Sequence, residues 1–176
     1  QKELCEAIAG LQKIKSGEIL FKDENIEKLP PREIIKRGIS MSFIPEDRLG
    51  MGLAASLSIT DNMMLKNYTV SKGPFVDRKT AAKTAARVIG KLDVVTPSRD
   101  TPVRRLSGGN VQKILLGREI EADPNVLVTA YPVRGLDINS SYTIYDTLNE
   151  QKKKGVAILF VGEDLDVMLE LCDRIL

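Results

Sequence analysis

The chain has 176 residues, of which 43% are hydrophobic and 28% are charged, a composition typical of one globular domain with a sizeable core. The formal net charge of +2 is too small to indicate nucleic-acid binding. No apolar run reaches the roughly 18 residues that would cross a membrane, and the absence of histidine excludes a histidine general base and a histidine-ligated metal.

The first part of the chain is predicted to alternate short strands and helices. Leu4, Ile8 and Leu11 recur at helical spacing and predict a first helix. The next predicted elements are a strand, a helix and a second strand, at residues 19–21, 32–37 and 39–44.

Cys5 is far in sequence from Cys172, which favours free thiols over a disulfide.

A charged turn and a mostly helical segment follow the second strand. Pro45-Glu46-Asp47-Arg48 is, on its residues alone, compatible with a solvated turn. A helix is expected to begin near Ser58, and the clearest helix of the chain is expected at residues 77–92, with basic side chains outside. Its apolar face is formed by Ala81, Ala85, Val88, Ile89 and Leu92. Residues 58–105 are therefore predicted to be a helical insertion between two strands.

The segment Leu106-Ser107-Gly108-Gly109-Asn110 precedes another helical pattern, which starts at Val111. The two glycines leave backbone N–H groups uncovered by any Cβ, and a helix N-terminus favours an anion such as phosphate. The alternative is an ordinary helix start with Ser107 as its N-cap.

The last part of the chain is predicted to contain two apolar strands and a helix between them. Residues 125–130 and 156–161 are rich in β-branched and apolar residues, which indicates buried strands. The turn at residues 134–137 opens the helix, and residues 162–164 follow the second strand. One face of the helix is expected to carry Ile138, Tyr142, Tyr145 and Leu148.

This order of elements resembles the ATP-binding subunit of an ABC transporter over essentially the whole chain. In that family the segment 106–110 is the signature loop, 125–130 the Walker B strand, 134–137 the D-loop, and Glu163 the switch position. The resemblance implies an α/β fold of the P-loop NTPase (ABC ATPase) type, with a mostly parallel sheet. It also implies one partial ABC ATPase domain, with an α/β core at 1–57 and 106–176 and a helical subdomain at 58–105.

The resemblance also implies that the phosphate-binding glycine loop precedes the first residue. An ungapped alignment places Gln1 at the Walker A lysine and Lys2 at the Walker A hydroxyl position, so the chain is expected to be a fragment. The alternative is a plain N-terminal helix. Glu46 holds the place of the Q-loop glutamine, and Pro-Glu-Asp-Arg is similar to the second ATPase half of importers for simple sugars and nucleosides.

The positions that carry hydrolysis in the family are altered. Ala130 and Tyr131 stand where the Walker B strand ends in Asp-Glu, and Glu163 replaces the switch histidine. Alanine cannot hold the water shell of Mg²⁺, and a tyrosine hydroxyl is a poor base at neutral pH. This half alone is therefore expected not to hydrolyse ATP, and no metal-binding residue is assigned to it.

The expected function is that of a degenerate ATP-binding half of an importer for a simple sugar or nucleoside. In the family, two halves bind head to tail and each signature loop completes the partner's site. ATP and Mg²⁺ are the implied cofactors of the assembled transporter, and the residues assigned to nucleotide are Gln1, Lys2, Glu46, Ser107, Gly108, Gly109, Asn110 and Asp137.

The implied partners are the second ATPase half, the transmembrane permease and, indirectly, a substrate-binding protein. The implied location is the cytoplasmic face of the cell membrane. The alternative is an ABC-type regulatory or scaffold protein that does not transport, and an ordinary active ATPase is disfavoured by Ala130 and Tyr131.

Overall fold

The computed structural model describes residues 2–36, 41–45, 47–67 and 76–176. The helices are α1 Lys2–Ile8, α2 Pro31–Lys36, α3 Ile59–Asn67, α4 Arg78–Lys91, α5 Gly108–Glu121, α6 Ile138–Lys153 and α7 Leu165–Leu171. The strands are β1 Leu20–Phe21, β2 Glu24–Asn25, β3 Met41–Ile44, β4 Val126–Ala130 and β5 Ala157–Val161. A π-helical turn occupies Arg48–Gly52 and a 3₁₀ turn Val103–Arg105. None of the described helices has the length and apolar character needed to span a membrane.

The central sheet is parallel and has the order β3-β4-β5. Ile44 of β3 pairs with Thr129 of β4, and Thr129 pairs with Phe160 of β5, so the three strands end at the same edge. The loops that follow these strands therefore meet at one edge of the sheet, where α/β proteins place their ligands. The predicted α/β fold with a parallel sheet is confirmed.

Helix α5 forms the centre of the core. Its residues Ile114, Leu115 and Leu116 are fully buried, and they pack with Leu127 of β4 and Ile44 of β3 in one hydrophobic cluster. The helix contacts β3, α3, α4 and α6. Because the start of α5 carries the predicted signature loop, the position of that loop is set by a helix that is largely buried.

The segment between residues 58 and 105 contains the helices α3 and α4, which pack against each other. Asp77 caps α4 by accepting a hydrogen bond from the N–H of Thr80 at 3.0 Å. The two ends of the segment pair with each other, because Ser58 forms an isolated β-bridge with Pro102. The division of the chain into core and helical subdomain stays a prediction.

A buried charged cluster joins the segment to α5. Glu119 is fully buried; its carboxylate lies 2.6 Å from Nζ of Lys66 on α3 and 2.8 Å from Nη2 of Arg118. The Arg118 guanidinium also donates to the carbonyl of Gly52 at 2.7 Å. Two cations therefore surround one buried carboxylate, and one of them, Arg118, also links α5 to the turn at Gly52.

Two sequence-based expectations differ from the structure. The helix α6 is present, but Ile138 and Tyr142 are 74% and 62% exposed, and of the expected face only Leu148 is buried. The buried face of α6 is formed by Ile144, Thr147, Leu148 and Gln151, because this face packs against α5 and β5.

The second expectation concerns β5, which the sequence predicts to be buried. Its residues are only half buried and Ala157 is exposed, because β5 has a described strand neighbour on one side only. The cysteines agree with expectation, since Cys5 and Cys172 are both free thiols.

Candidate nucleotide-binding site

The signature loop presents the hydroxyl of Ser107 at the start of α5. Ser107 is the N-cap, with extended backbone angles, and it is exposed. Its Oγ accepts from the backbone N–H of Asn110 at 3.4 Å and from the Asn110 side-chain amide at 2.9 Å. A serine hydroxyl has two acceptor sites and one proton. Because both acceptor sites are used within the chain, the proton remains to donate to a group outside it.

Asn110 stabilises the loop through both polar atoms of its side-chain amide. Its Nδ2 donates to Ser107, and its Oδ1 accepts from the N–H of Val95 at 2.9 Å. These contacts tie the start of α5 to the segment that follows α4. The assignment of Asn110 to nucleotide stays a prediction, and the structure gives it a role in orienting Ser107.

The two glycines of the loop have different surroundings. A Cβ added at Gly108 would meet one atom within 4 Å, Nη1 of Arg48 at 3.4 Å, so the space next to this residue is largely open. A Cβ added at Gly109 would lie 2.8 Å from Oγ of Ser140 on α6. Gly108 therefore leaves room for a ligand, whereas Gly109 allows the starts of α5 and α6 to approach closely.

Asp137, the last residue of the predicted D-loop, is the N-cap of α6. Its carboxylate accepts from the backbone N–H of Ser140 at 2.9 Å and from the Ser140 hydroxyl at 2.7 Å. These two hydrogen bonds, the backbone one first, lower the pKa of Asp137, and the charge of Lys113 adds a smaller contribution. The side chain is thus anionic and engaged with its own helix.

The loop after β4 contains no metal ligand at the positions where the resemblance expects them. Ala130 is buried at the end of β4. Tyr131 follows with a φ of 51°, a left-handed conformation uncommon for a residue other than glycine. Its N–H donates to the carbonyl of Val161 at 2.8 Å, and the guanidinium of Arg134 lies 5.8 Å from its ring centroid. The ring is therefore part of a packed loop.

Glu163 is exposed in the loop between β5 and α7. It lines a cavity of about 260 Å³ together with Tyr131, Arg134, Tyr145 and Phe160. The structure thus brings the predicted switch position and the predicted Walker B position to one cavity. Among the described residues, no group of three or more cysteine or carboxylate side chains is placed to hold a metal ion.

The remaining predicted site residues lie at or beyond the limits of the described chain. Lys2 is the first residue of α1, which contacts β4. Gln1 and Glu46 lie outside the described residues. Their assignment to nucleotide stays a prediction.

Arg48 is a residue of this site to which the sequence assigned no role. Its Nη2 donates to the carbonyl of Arg134 in the D-loop, and its Nη1 faces Gly108 of the signature loop. The charged turn at residues 45–48 is recognisable in the sequence, but no sequence pattern indicates a contact with two loops so far along the chain.

Comparison with known proteins agrees with the family resemblance. The ABC transporter family model matches residues 3–130 of the chain. Relatives include the guanosine import ATP-binding protein NupO of Bacillus subtilis, which is 38% identical over 99% of this chain and 34% of its own length. The ribose import ATP-binding protein RbsA of Corynebacterium glutamicum is 38% identical over 99% of this chain and 33% of its own length.

Solved structures show the same fold. The dimeric post-hydrolysis state of an ATP-binding cassette bound to ADP and Pi has a TM-score of 0.77 and 20% identity, over 93% of this chain and 70% of that one. A nucleotide-free cassette from an ABC transporter has a TM-score of 0.73, over 97% of this chain and 68% of that one. The chain spans about a third of the length of the curated relatives it matches. With the family model covering most of its residues, the chain belongs to the ABC transporter family and contains part of an ATP-binding domain.

Proposed function

We propose that this chain is part of the ATP-binding subunit of an importer for a simple sugar or a nucleoside. Relatives that match nearly all of it are named as guanosine, glucose and ribose import ATP-binding proteins. Within that subunit, the chain donates its signature loop to the ATP site of a second half and carries a degenerate site of its own. The subunit acts at the cytoplasmic face of the cell membrane.

The observation that carries this proposal is the open, donor-rich start of α5. Ser107 has a hydroxyl proton available, and the Cβ position of Gly108 meets only Arg48. The N-terminal N–H groups of a helix, together with its dipole, stabilise an anion that lies close to them. A phosphate carried by a second half fits this surface, since no described side chain other than Arg48 lies against Gly108.

The end of β4 supports the other part of the proposal, that this half does not hydrolyse ATP with its own residues. Phosphoryl transfer needs a carboxylate-held Mg²⁺ and a group that orients water. Ala130 supplies neither, and the Tyr131 ring is packed with Arg134. The described residues do not fit Mg²⁺, so we assign the metal to the site of the partner half.

The segment after β3 supports a permease as the membrane partner. Leu49, Met51, Leu57 and Leu65 are 38%, 50%, 37% and 42% exposed, so this part of the chain offers several large apolar side chains to solvent. Isolated exposed apolar residues are common, whereas a contiguous apolar patch is typical of an interaction surface, and we infer that these side chains contribute to such a patch. We assign this surface to the transmembrane permease.

The proposal is tested by Gly108→Asp in the full-length protein assembled with its permease. The aspartate adds bulk and negative charge where the phosphate has to approach, so the ATPase rate is expected to fall about a hundredfold, the effect of removing one transition-state donor. The mutant should melt as the wild type does, because the position is exposed and lies at the very start of the helix.

Gly108→Ala is the matched control. Its Cβ lies at ordinary contact distance from Arg48, so its ATPase rate should stay within a few-fold of wild type. A folded Gly108→Asp protein with undiminished ATPase would mean that this loop serves no composite site. A regulatory or scaffold role without transport would then be favoured.

A further inference from the structure

The side chain of Arg48 lies between two loops that are distant in sequence. Its backbone is fixed at the start of the π-helical turn, because Asp47 accepts from the N–H of Gly50 at 2.8 Å and the N–H of Leu53 donates to the Arg48 carbonyl at 2.7 Å. The backbone of Arg48 is therefore held in one conformation. A fixed backbone lowers the conformational entropy that is lost when the long side chain is held in one position.

One end of the guanidinium is held by the D-loop. Its Nη2 donates to the backbone carbonyl of Arg134. The N–H of Arg134 donates in turn to the carbonyl of Tyr131 at 3.2 Å, and the Arg134 guanidinium lies over the Tyr131 ring. The loop after β4 thus acts as a support for Arg48.

The other end of the guanidinium faces the signature loop. Nη1 lies 3.4 Å from the Cβ position of Gly108, beside the start of α5. A guanidinium has five N–H donors, and the described contact with Arg134 uses those of Nη2 only. The donors of Nη1 lie next to the helix N-terminus that Ser107 caps.

Arg48 is partly buried, and its charge is not paired within the described part of the chain. No described carboxylate lies within 4.0 Å of its guanidinium nitrogens. Burial lowers the pKa of Arg48 from its ordinary value, yet arginine stays charged in proteins. A partly desolvated cation beside a helix N-terminus attracts an anion, because the guanidinium charge and the partial positive charge of the helix end act in the same direction.

We propose that Arg48 is a phosphate-binding residue of the composite site, donating from Nη1 to the γ-phosphate of ATP held by the partner half. This proposal rests on the function proposed above. It adds a charged donor from the turn after β3 to the hydroxyl and N–H donors of the signature loop. Because the same guanidinium is held by the D-loop, phosphate binding also links the signature loop to the loop after β4.

The test compares ATP with ADP in the full-length protein assembled with its permease. Arg48→Gln removes the charge and keeps a donor for the Arg134 carbonyl, whereas Arg48→Lys keeps the charge and loses the planar fork. The readouts are the affinities for fluorescent ATP and ADP analogues, trapping of nucleotide by orthovanadate, and a thermal melt. Arg87→Gln is the matched control, since Arg87 is 61% exposed and pairs with Glu121 on the far part of α5.

Arg48→Gln is expected to weaken ATP binding about ten- to a hundredfold, the value of a charge-assisted hydrogen bond. ADP affinity should change less than about twofold, because ADP has no γ-phosphate, and orthovanadate trapping should be lost. Arg48→Lys should retain trapping with a few-fold weaker ATP affinity. Arg87→Gln should behave as wild type.

Two results would overturn the proposal: equal changes in ATP and ADP affinity, or loss of the folded state in Arg48→Gln. Each would mean that Arg48 has only a structural role, linking the two loops. Gly108→Asp in the same preparation separates the two proposals. If Gly108→Asp abolishes trapping while Arg48→Gln leaves the ATP-to-ADP ratio unchanged, the composite site stands and Arg48 has no part in it. If neither variant affects trapping, the composite site itself is wrong.

Discussion

The signature loop at residues 106–110 and the loop after β4 at residues 130–137 are both followed by a capped helix. Ser107 caps α5 and Asp137 caps α6, and each accepts a hydrogen bond from the backbone N–H three residues later. The first loop ends in an uncharged hydroxyl with open space beyond Gly108, whereas the second ends in a carboxylate and is packed by Tyr131 and Arg134.

This difference leads us to expect that a helix N-terminus accepts a phosphate only when its cap and the space around it permit. The dipole and the free N–H groups are common to both helices. An anionic cap already uses that favourable potential, and it repels a second anion. The two helices approach each other at Gly109 and Ser140, and the Asp137 carboxylate lies 3.7 Å from the Cβ position of Gly109, so Gly108 is the residue of the loop with open space for phosphate.

The largest expected effect concerns the support of the signature loop. Glu119→Gln leaves the charges of Lys66 and Arg118 without their carboxylate in the core, which typically costs about 3–5 kcal/mol. Chemical denaturation of the full-length protein should show this loss, because the cluster joins α5, which follows the signature loop, to α3 and to the turn at Gly52. Glu121→Gln, two residues further on the same helix, breaks only the partly exposed pair with Arg87 and should cost under about 1 kcal/mol.

Equal stability of the two variants would show that α5 is not held in place by its buried charges. The contrast between a well-supported signature loop and the loop after β4 would then lose its structural basis.

A smaller loss of stability is expected for Gly109→Ala. The new Cβ would lie 2.8 Å from Oγ of Ser140, so α5 and α6 have to move apart. Overpacking of this kind typically costs about 1–3 kcal/mol. The double variant with Ser140→Ala should recover part of the loss, because the next contact is the Ser140 Cβ at 3.4 Å. Purely additive effects in this double-mutant cycle would contradict the steric explanation.

The sequence predicted much of this architecture because its signals were local. The cap at Ser107, the helix after it and the strand at 126–130 each depend on a few neighbouring residues. The buried face of α6 was mispredicted because apolar spacing alone does not tell which side meets α5, and Ile138 fits the same periodicity while lying in solvent.

Contacts across the chain could not be predicted in the same way. Arg48 meets Gly108 and the Arg134 carbonyl only because β3 and β4 end at the same edge of the sheet. A single sequence contains no signal for this juxtaposition. The left-handed conformation of Tyr131 is equally hidden, since nothing in the sequence near a tyrosine indicates a positive φ.

A near-absence of effect is expected for Tyr131→Phe. If the loop after β4 has no catalytic role, the hydroxyl is dispensable, and phenylalanine keeps a ring face for Arg134. The ATPase rate of the assembled transporter should change less than about twofold, against the roughly 10²–10⁴-fold typical of a lost general base. A large loss of ATPase rate with an unchanged melting temperature would mean that the loop after β4 also contributes to catalysis. The proposed difference between the two loops would then be wrong.

A small expected effect is a pH dependence of stability at the cap of α6. The hydrogen bonds from Ser140 lower the pKa of Asp137 in the folded state, so the unfolded chain binds a proton more readily than the folded one. The contribution of this cap is therefore fully present above the ordinary aspartate pKa of about 3.9. It is lost as the pH falls from there through the lowered folded value.

Asp137→Asn removes the titration while keeping a side chain that can cap a helix. The difference in melting temperature between wild type and this variant should be present at about pH 7 and should shrink as the pH falls below the ordinary aspartate pKa of about 3.9. Ser140→Ala removes the hydroxyl donor but not the backbone N–H, so it should reduce this difference without abolishing it. A difference that does not change with pH would mean that the charge of Asp137 does not stabilise α6. The two helix starts would then differ only in the open space next to Gly108, and not in the charge of their caps.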